Sequence, residues 1–311
     1  SMAVSFGHTN MRKIILLLIV VCVSGLFLLQ GSANMAIFKS FGKNPSGSQL
    51  ERLTKSPNYR DGIFQNVHPT PMTPDGVSQT TVLKDFFFGQ KPLDIKPGQP
   101  IPSIKHDLSN ANQATPKITW FGHSSYLIQY QGKNILVDPV FSGNAAPVTF
   151  AVKSFLGTDV YTEKDMPHID LVIISHDHYD HLDYKTVSAL KSQTDKFLMP
   201  LGVSSHFMSW GFDEKQTHEL DWWETFNFNS EIKVTATPAR HFSGRSFERA
   251  KTLWASYVLE LGQYKIFIGG DSGYDDQFAK IGQKFGTIDI AMLECGQYGV
   301  NWPYIHMFPE Q

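Results

Sequence analysis

From Ser175 to Asp183 the chain reads Ser-His-Asp-His-Tyr-Asp-His-Leu-Asp, which puts four ligand-type side chains, His176, His178, Asp180 and His181, within six positions. Imidazole and carboxylate ligands suit zinc and neighbouring transition metals. If this stretch follows a strand, the loop aims His176 and His178 at one point. The turn into the next helix then aims Asp180 and His181 at a second point nearby. Two metals need more ligands, and later strand ends offer them. His241 follows Thr-Pro-Ala-Arg, Asp271 follows Gly269-Gly270, and His306 follows Trp-Pro-Tyr-Ile. Alone, each is an ordinary histidine or turn aspartate; after the first cluster, the three together complete a binuclear set. The glycines before Asp271 let backbone come close to the metals.

Other residues near this set have two readings each. Asp138, before Pro139, either supports a ligand from behind by hydrogen bonding or forms a turn. His123 sits in the small-residue break 122–125, where it either lines the site or is simply part of that hairpin break. Arg240 and Arg245 flank His241; either one clamps a phosphate bidentately or makes a surface ion pair. His123 and Arg245 are the candidate substrate-binding residues, and Asp138 the candidate support behind a ligand.

The elements that must position these residues are legible by pattern. Residues 170–175 (DLVIIS) form a short continuous apolar run, as in a strand buried on both faces. Residues 118–130 read as two strands around the break, and 134–137, 197–199, 232–237, 254–261, 265–268 and 288–293 as further strands. Helical spacing occurs at 182–192 and 277–285. Many strands with few helices predict an α+β layered sandwich over 116–311. Residues 36–115 are rich in Pro, Gly, Asn and Ser and predict a turn-rich extension with at most short helices, packed on the main body. Residues 1–35 read as a signal peptide or membrane anchor: Arg12 and Lys13 precede the apolar run 14–29. That run spans about 24 Å as a helix, short of a roughly 30 Å hydrocarbon core. The basic end stays inside, so the remainder is expected outside the cytoplasm, in a bacterial cell envelope, anchored to the inner membrane or exported.

Composition removes several classes. With 27 Lys+Arg against 29 Asp+Glu in 311 residues, the net charge of −2 gives no footprint for nucleic acid. Two cysteines exclude a disulfide scaffold and a cysteine-based zinc finger.

The ordered set HxHxDH, H, D, H resembles the metallo-β-lactamase superfamily. TWFGHSS at 119–125, DPVFS at 138–142, ISHDHYDHLD at 174–183, TPARH at 237–241, LWAS at 253–256 and GGDSGY at 269–274 resemble the branch containing N-acyl-phosphatidylethanolamine phospholipase D. SPNYRDGIFQN at 56–66 fits its bacterial relatives. The resemblance implies a four-layer αββα sandwich and two zinc ions per chain. It implies a first metal on His176, His178 and His241, a second on Asp180, His181 and His306, and Asp271 bridging them, with Asp180 and Asp271 as the catalytic carboxylates. It implies a hydrolase in which a water shared by the metals is ionised and attacks phosphorus or an acyl carbon. The leading substrate is a phospholipid-like phosphodiester, with membrane contact through the N-terminus. A lactone, ester or amide is the rival substrate, and a non-catalytic metal-stabilised envelope protein the rival class. Because the family continues past the last histidine, the resemblance also implies further structure beyond Gln311.

Overall fold

Alternating side chains on paired strands decide the architecture, because the central strands of the two main sheets have apolar faces to bury. The computed structural model describes residues 38–74, 76–89, 96–146, 152–294, 296 and 299–311. The expected targeting segment and both cysteines lie outside them. Among the described residues no helix is long and apolar enough to cross a membrane.

The compact unit Phe41–Gln311 holds the sheets and the candidate ligands. Its N-terminal part has a helix at Gln49–Leu53, a hairpin of β1 (Tyr59–Arg60) and β2 (Ile63–Phe64), and a ten-residue helix at Gln79–Phe88.

The larger sheet has six strands in sequential order: β3 (Lys117–Gly122), β4 (Ser125–Tyr130), β5 (Lys133–Val137), β6 (Ile169–Ile173), β7 (Thr194–Pro200) and β8 (Thr217–Leu220). β3, β4 and β5 pair antiparallel; β5 through β8 pair parallel. The other main sheet is built from β9 (Thr225–Asn227), β10 (Ile232–Thr237), β11 (Ser256–Leu261), β12 (Tyr264–Ile268) and β13 (Ile290–Met292), again in sequential order. Only its β12–β13 pair is parallel.

The two sheets face each other across one core. Ile128, Ile135, Val137, Leu171 and Ile173 of the larger meet Val234, Ala236, Tyr257, Leu259 and Ile266 of the other, and Leu53 and Phe64 from the N-terminal part enter the same core. The outer face of the larger sheet, with Leu136, Val172 and Phe197, packs Val187 and Leu190 of a helix at Tyr184–Leu190 and Phe207 of another at Ser204–Ser209. The outer face of the five-stranded sheet, with Val258 and Phe267, packs Ile281 of a helix at Gln277–Phe285. Helix, sheet, sheet, helix is the four-layer order expected. All five residues of β6 are buried, as its unbroken apolar run predicts for a strand covered on both faces.

Candidate metal centre

The parallel strands of one sheet and the antiparallel strands of the other deliver their ends to one edge of the sandwich, and the ligand-type residues sit on the connections that leave there. The loop after β6 carries His176, His178, Asp180 and His181. The segment after β10 carries His241, the turn after β12 carries Asp271, and the C-terminal segment carries His306. Gly270 (φ +59°) makes the approach of Asp271 possible: a Cβ there would sit 2.8 Å from Cβ of Ser175.

Three ring nitrogens converge first. His176 Nε2 lies 2.8 Å from His178 Nδ1, and His241 Nε2 lies 3.3 Å from the same atom. Burial pushes all three imidazolium forms down, that of His241 to about 3. Near pH 7 the rings are therefore neutral and offer lone pairs. His241 Nδ1 donates to the Ile305 carbonyl at 3.0 Å, which leaves its Nε2 as the free lone pair.

The second grouping is ionic. His181 Nε2 faces Asp271 Oδ1 at 3.2 Å, and Asp180 Oδ2 faces His123 Nε2 at 3.2 Å. Burial disfavours charge on His181, but the carboxylates of Asp271, Asp138 and Asp180 outweigh it and hold the ring well above the usual histidine range. Burial likewise opposes ionisation of Asp180 and Asp271, and it is outweighed by His181 acting with His123 at Asp180 and with His241 and His176 at Asp271, which keeps both below the usual carboxylate range. Asp271 spans the groupings: its Oδ2 lies 3.7 Å from His241 Nε2.

His306 is placed with His241 and Asp271, whereas Asp180 and His181 gather with His123. The second trio implied by the resemblance is thus split, and His123, read as a substrate-binding residue, is a ligand-type neighbour of Asp180. The donor set fits divalent metal. His181 Nε2 is buried without a hydrogen-bond partner, and the three converging neutral imidazoles offer the nitrogen donors that a divalent transition metal takes.

The support behind these residues is equally built. Asp138, in a left-handed backbone conformation (φ 40°) and buried, accepts from Ser175 N–H (2.7 Å), Ser175 Oγ (2.6 Å) and His181 Nδ1 (2.8 Å). That is the carboxylate–histidine pairing that fixes tautomer and ring orientation at metal sites. Glu294, which the sequence reading missed, does the same for His306, at 2.7 Å from Nδ1. His206 was missed too: its Nε2 donates to Asp177 Oδ2 at 3.0 Å, between the ligands His176 and His178. Nothing local marked either, since both act across sequence separations that only the fold closes.

Arg245 is a correction. The expectation was a phosphate clamp, but the side chain is 3% exposed, donates to the carbonyls of Asp177 and Leu182 (2.7 Å each), and stacks 4.1 Å over Tyr179. It braces the ligand loop instead of facing solvent. Arg240 is engaged with Thr70 and the Tyr274 carbonyl.

A cavity of about 560 Å³ opens beside His241, a size typical of small-molecule sites. Ile63, Val67, Met72 and Phe242 give it apolar walls, and Arg60 and Arg249 give it cations.

The family model of the beta-lactamase superfamily domain matches residues 133–311. An uncharacterized protein of Mycobacterium tuberculosis is 38% identical over 259 residues, spanning 83% of this chain and 69% of its own length. The mitochondrial N-acyl-phosphatidylethanolamine-hydrolyzing phospholipase D of Saccharomyces cerevisiae is 36% identical over 197 residues, 59% of this chain and 40% of that protein. Among solved structures, the metallo hydrolase Igni18 of Ignicoccus hospitalis aligns with a TM-score of 0.47 at 21% identity, over 60% of this chain and 73% of that one. The chain belongs to the beta-lactamase superfamily and has the metallo-β-lactamase fold of metal-dependent hydrolases.

Proposed function

We propose that the protein is a binuclear zinc hydrolase that cleaves a phosphodiester of phospholipid type. The observation that carries this reading is the position of Asp271, with one carboxylate oxygen toward His181 and the other toward His241. A carboxylate so placed joins a neutral-nitrogen grouping to an ionic one. Zinc held at such ligands acts as a Lewis acid and lowers the pKa of water toward about 7.

The chain's own residues do the rest. His176, His178 and His241 bind through neutral nitrogens. Asp180 stays ionised and presents a carboxylate at the exposed side of the site, where it pairs with His123, whose ring is half open to solvent and lines the approach of the substrate. The cavity beside His241 takes the part of the substrate that does not react. Apolar walls with Arg60 and Arg249 at hand suit an amphiphile carrying negative charge. The name of the yeast relative supports the phospholipid class. The same reading puts the domain at the outer side of a bacterial inner membrane, on the strength of Arg12, Lys13 and the apolar run 14–29.

The test is hydrolysis of bis-p-nitrophenyl phosphate and of an N-acylphosphatidylethanolamine by metal-stripped protein, with and without added zinc. Zinc-dependent release from both is expected. Zinc-dependent cleavage of a lactone or carboxylic ester, with neither phosphodiester touched, replaces the substrate class. No zinc dependence with any of them overturns the reading.

A further inference from the structure

Every histidine of the first grouping needs its backbone fixed as well as its ring, and for His241 the strand cannot do it. The β10–β11 ladder ends at the pair Thr237–Ser256, four residues before His241. A side chain from far away in sequence takes over. Asn66 Nδ2 donates to the His241 carbonyl at 2.8 Å, and Asn66 Oδ1 accepts the His241 N–H at 3.1 Å. One amide thereby makes with one residue the two bonds that a neighbouring strand residue makes in a hydrogen-bonded antiparallel pair. The same oxygen accepts from Trp254 Nε1 at 3.2 Å, and that buried indole is also within 3.0 Å of the Ala239 carbonyl. Asn66 itself is held close by. Two residues earlier Phe64 is buried in the core, and its N–H donates to the Ala250 carbonyl at 2.8 Å. Gln65 N–H donates to the Asn58 carbonyl at 2.9 Å.

We propose that Asn66 is a positioning residue for the metal: by clamping the backbone of His241 it sets where Nε2 points, so that residues 59–66 belong to the metal-binding apparatus. The inference rests on the reading of this site as a metal centre. Asn66 also lines the cavity beside His241, so a ligand seated there touches the residue that holds a metal ligand.

Two substitutions separate positioning from space-filling. Asn66→Ala removes both bonds. Asn66→Asp keeps the shape and the acceptor but loses the donor, and turns an oxygen against the His241 carbonyl. A residue that only fills space tolerates Asp. Metal-stripped full-length protein is titrated with zinc against a chromophoric chelator, and its melting is followed in chelator. Both variants are expected to weaken the tightest zinc site roughly 10–100-fold, as for other groups that orient metal ligands. Both variants are expected to keep a single cooperative melt when zinc is absent, which shows the fold intact. In a His241→Ala background, Asn66→Ala is expected to cause no further loss, because the two act as one unit. Wild-type zinc affinity in Asn66→Asp, or fully additive losses with His241→Ala, overturns the proposal while leaving the metal reading intact. A wild-type protein that takes up no zinc overturns both.

Discussion

The two ligand groupings around Asp271 are built on opposite principles. His176, His178 and His241 are neutral through burial and have no proton to give up before taking a cation. His181 is held protonated among Asp271, Asp138 and Asp180, so a metal at its Nε2 must first displace a proton that those carboxylates hold. The difference implies ordered loading, with the nitrogen grouping filling first and the carboxylate grouping second. It also implies that acid weakens the second site before the first, since lower pH favours the proton on His181.

Asp271→Asn is the most damaging way to break this arrangement, because it removes the charge that both groupings share. Zinc uptake should fall from two equivalents to one or none, and kcat/KM for a phosphodiester should drop on the order of a thousandfold, as when a group stabilising charge in the transition state is lost. An unchanged zinc count in that variant would separate Asp271 from the metals altogether. Selective changes sharpen the comparison. His178→Ala should abolish the tighter zinc site, whereas Asp138→Asn should weaken only the second, roughly 10–100-fold, by releasing the ring of His181. Zinc titrations of the two variants side by side check the assignment, and equal effects on both sites would show that the groupings are not separate.

A smaller effect concerns Arg245. Its removal takes two charge-assisted bonds from the ligand loop, each of a kind that contributes about 1.5–3 kcal/mol. Arg245→Ala should therefore lower the melting temperature and zinc retention while KM changes least. A raised KM with unchanged stability would restore the phosphate-clamp reading.

The smallest effect lies behind the loop. Burial opposes ionisation of Asp177, but the hydrogen bond from His206 and the nearby charges, Arg245 among them, together outweigh it, so its carboxyl is held below the usual range; burial depresses His206 as well. The unfolded chain therefore binds more protons than the folded one at both groups. Their stabilisation is present at neutral pH and is lost on acidification, beginning below the ordinary histidine pKa of about 6.5 and deepening below the carboxylate value of about 3.9. Asp177→Asn should flatten the acid limb of a melting-temperature profile; an unaltered limb would place its origin elsewhere.

These contrasts also mark what the amino-acid sequence can disclose. The ligand loop was legible because its chemistry is local: an unbroken apolar run ends, and four ligand-type residues follow within six positions. Strands β10 and β12 and the helix Gln277–Phe285 were legible from periodicity, for the same reason. Short edge elements were not: β8 and β9 expose much of their surface and carry little apolar pattern. The pairs that orient ligands were hidden by distance along the chain. Asp138 was legible as support behind a ligand, but its partner His181 lies 43 residues away, and Asn66 meets His241 across 175. Arg245 misled because a cation beside a ligand looks identical in sequence whether it faces substrate or is buried under an aromatic ring. The assignment of His306 beside His241, and of His123 beside Asp180, depended on loop paths that spacing does not encode.

The most direct test of the central claim is a crystal of the metal-stripped protein soaked in zinc and measured at the zinc absorption edge. Two anomalous peaks are predicted, about 3.5–4 Å apart as in other two-metal sites. One should lie among His176, His178 and His241, the other at Asp180 and His181, with Asp271 reaching both. A single peak, or peaks away from Asp271, would contradict the account.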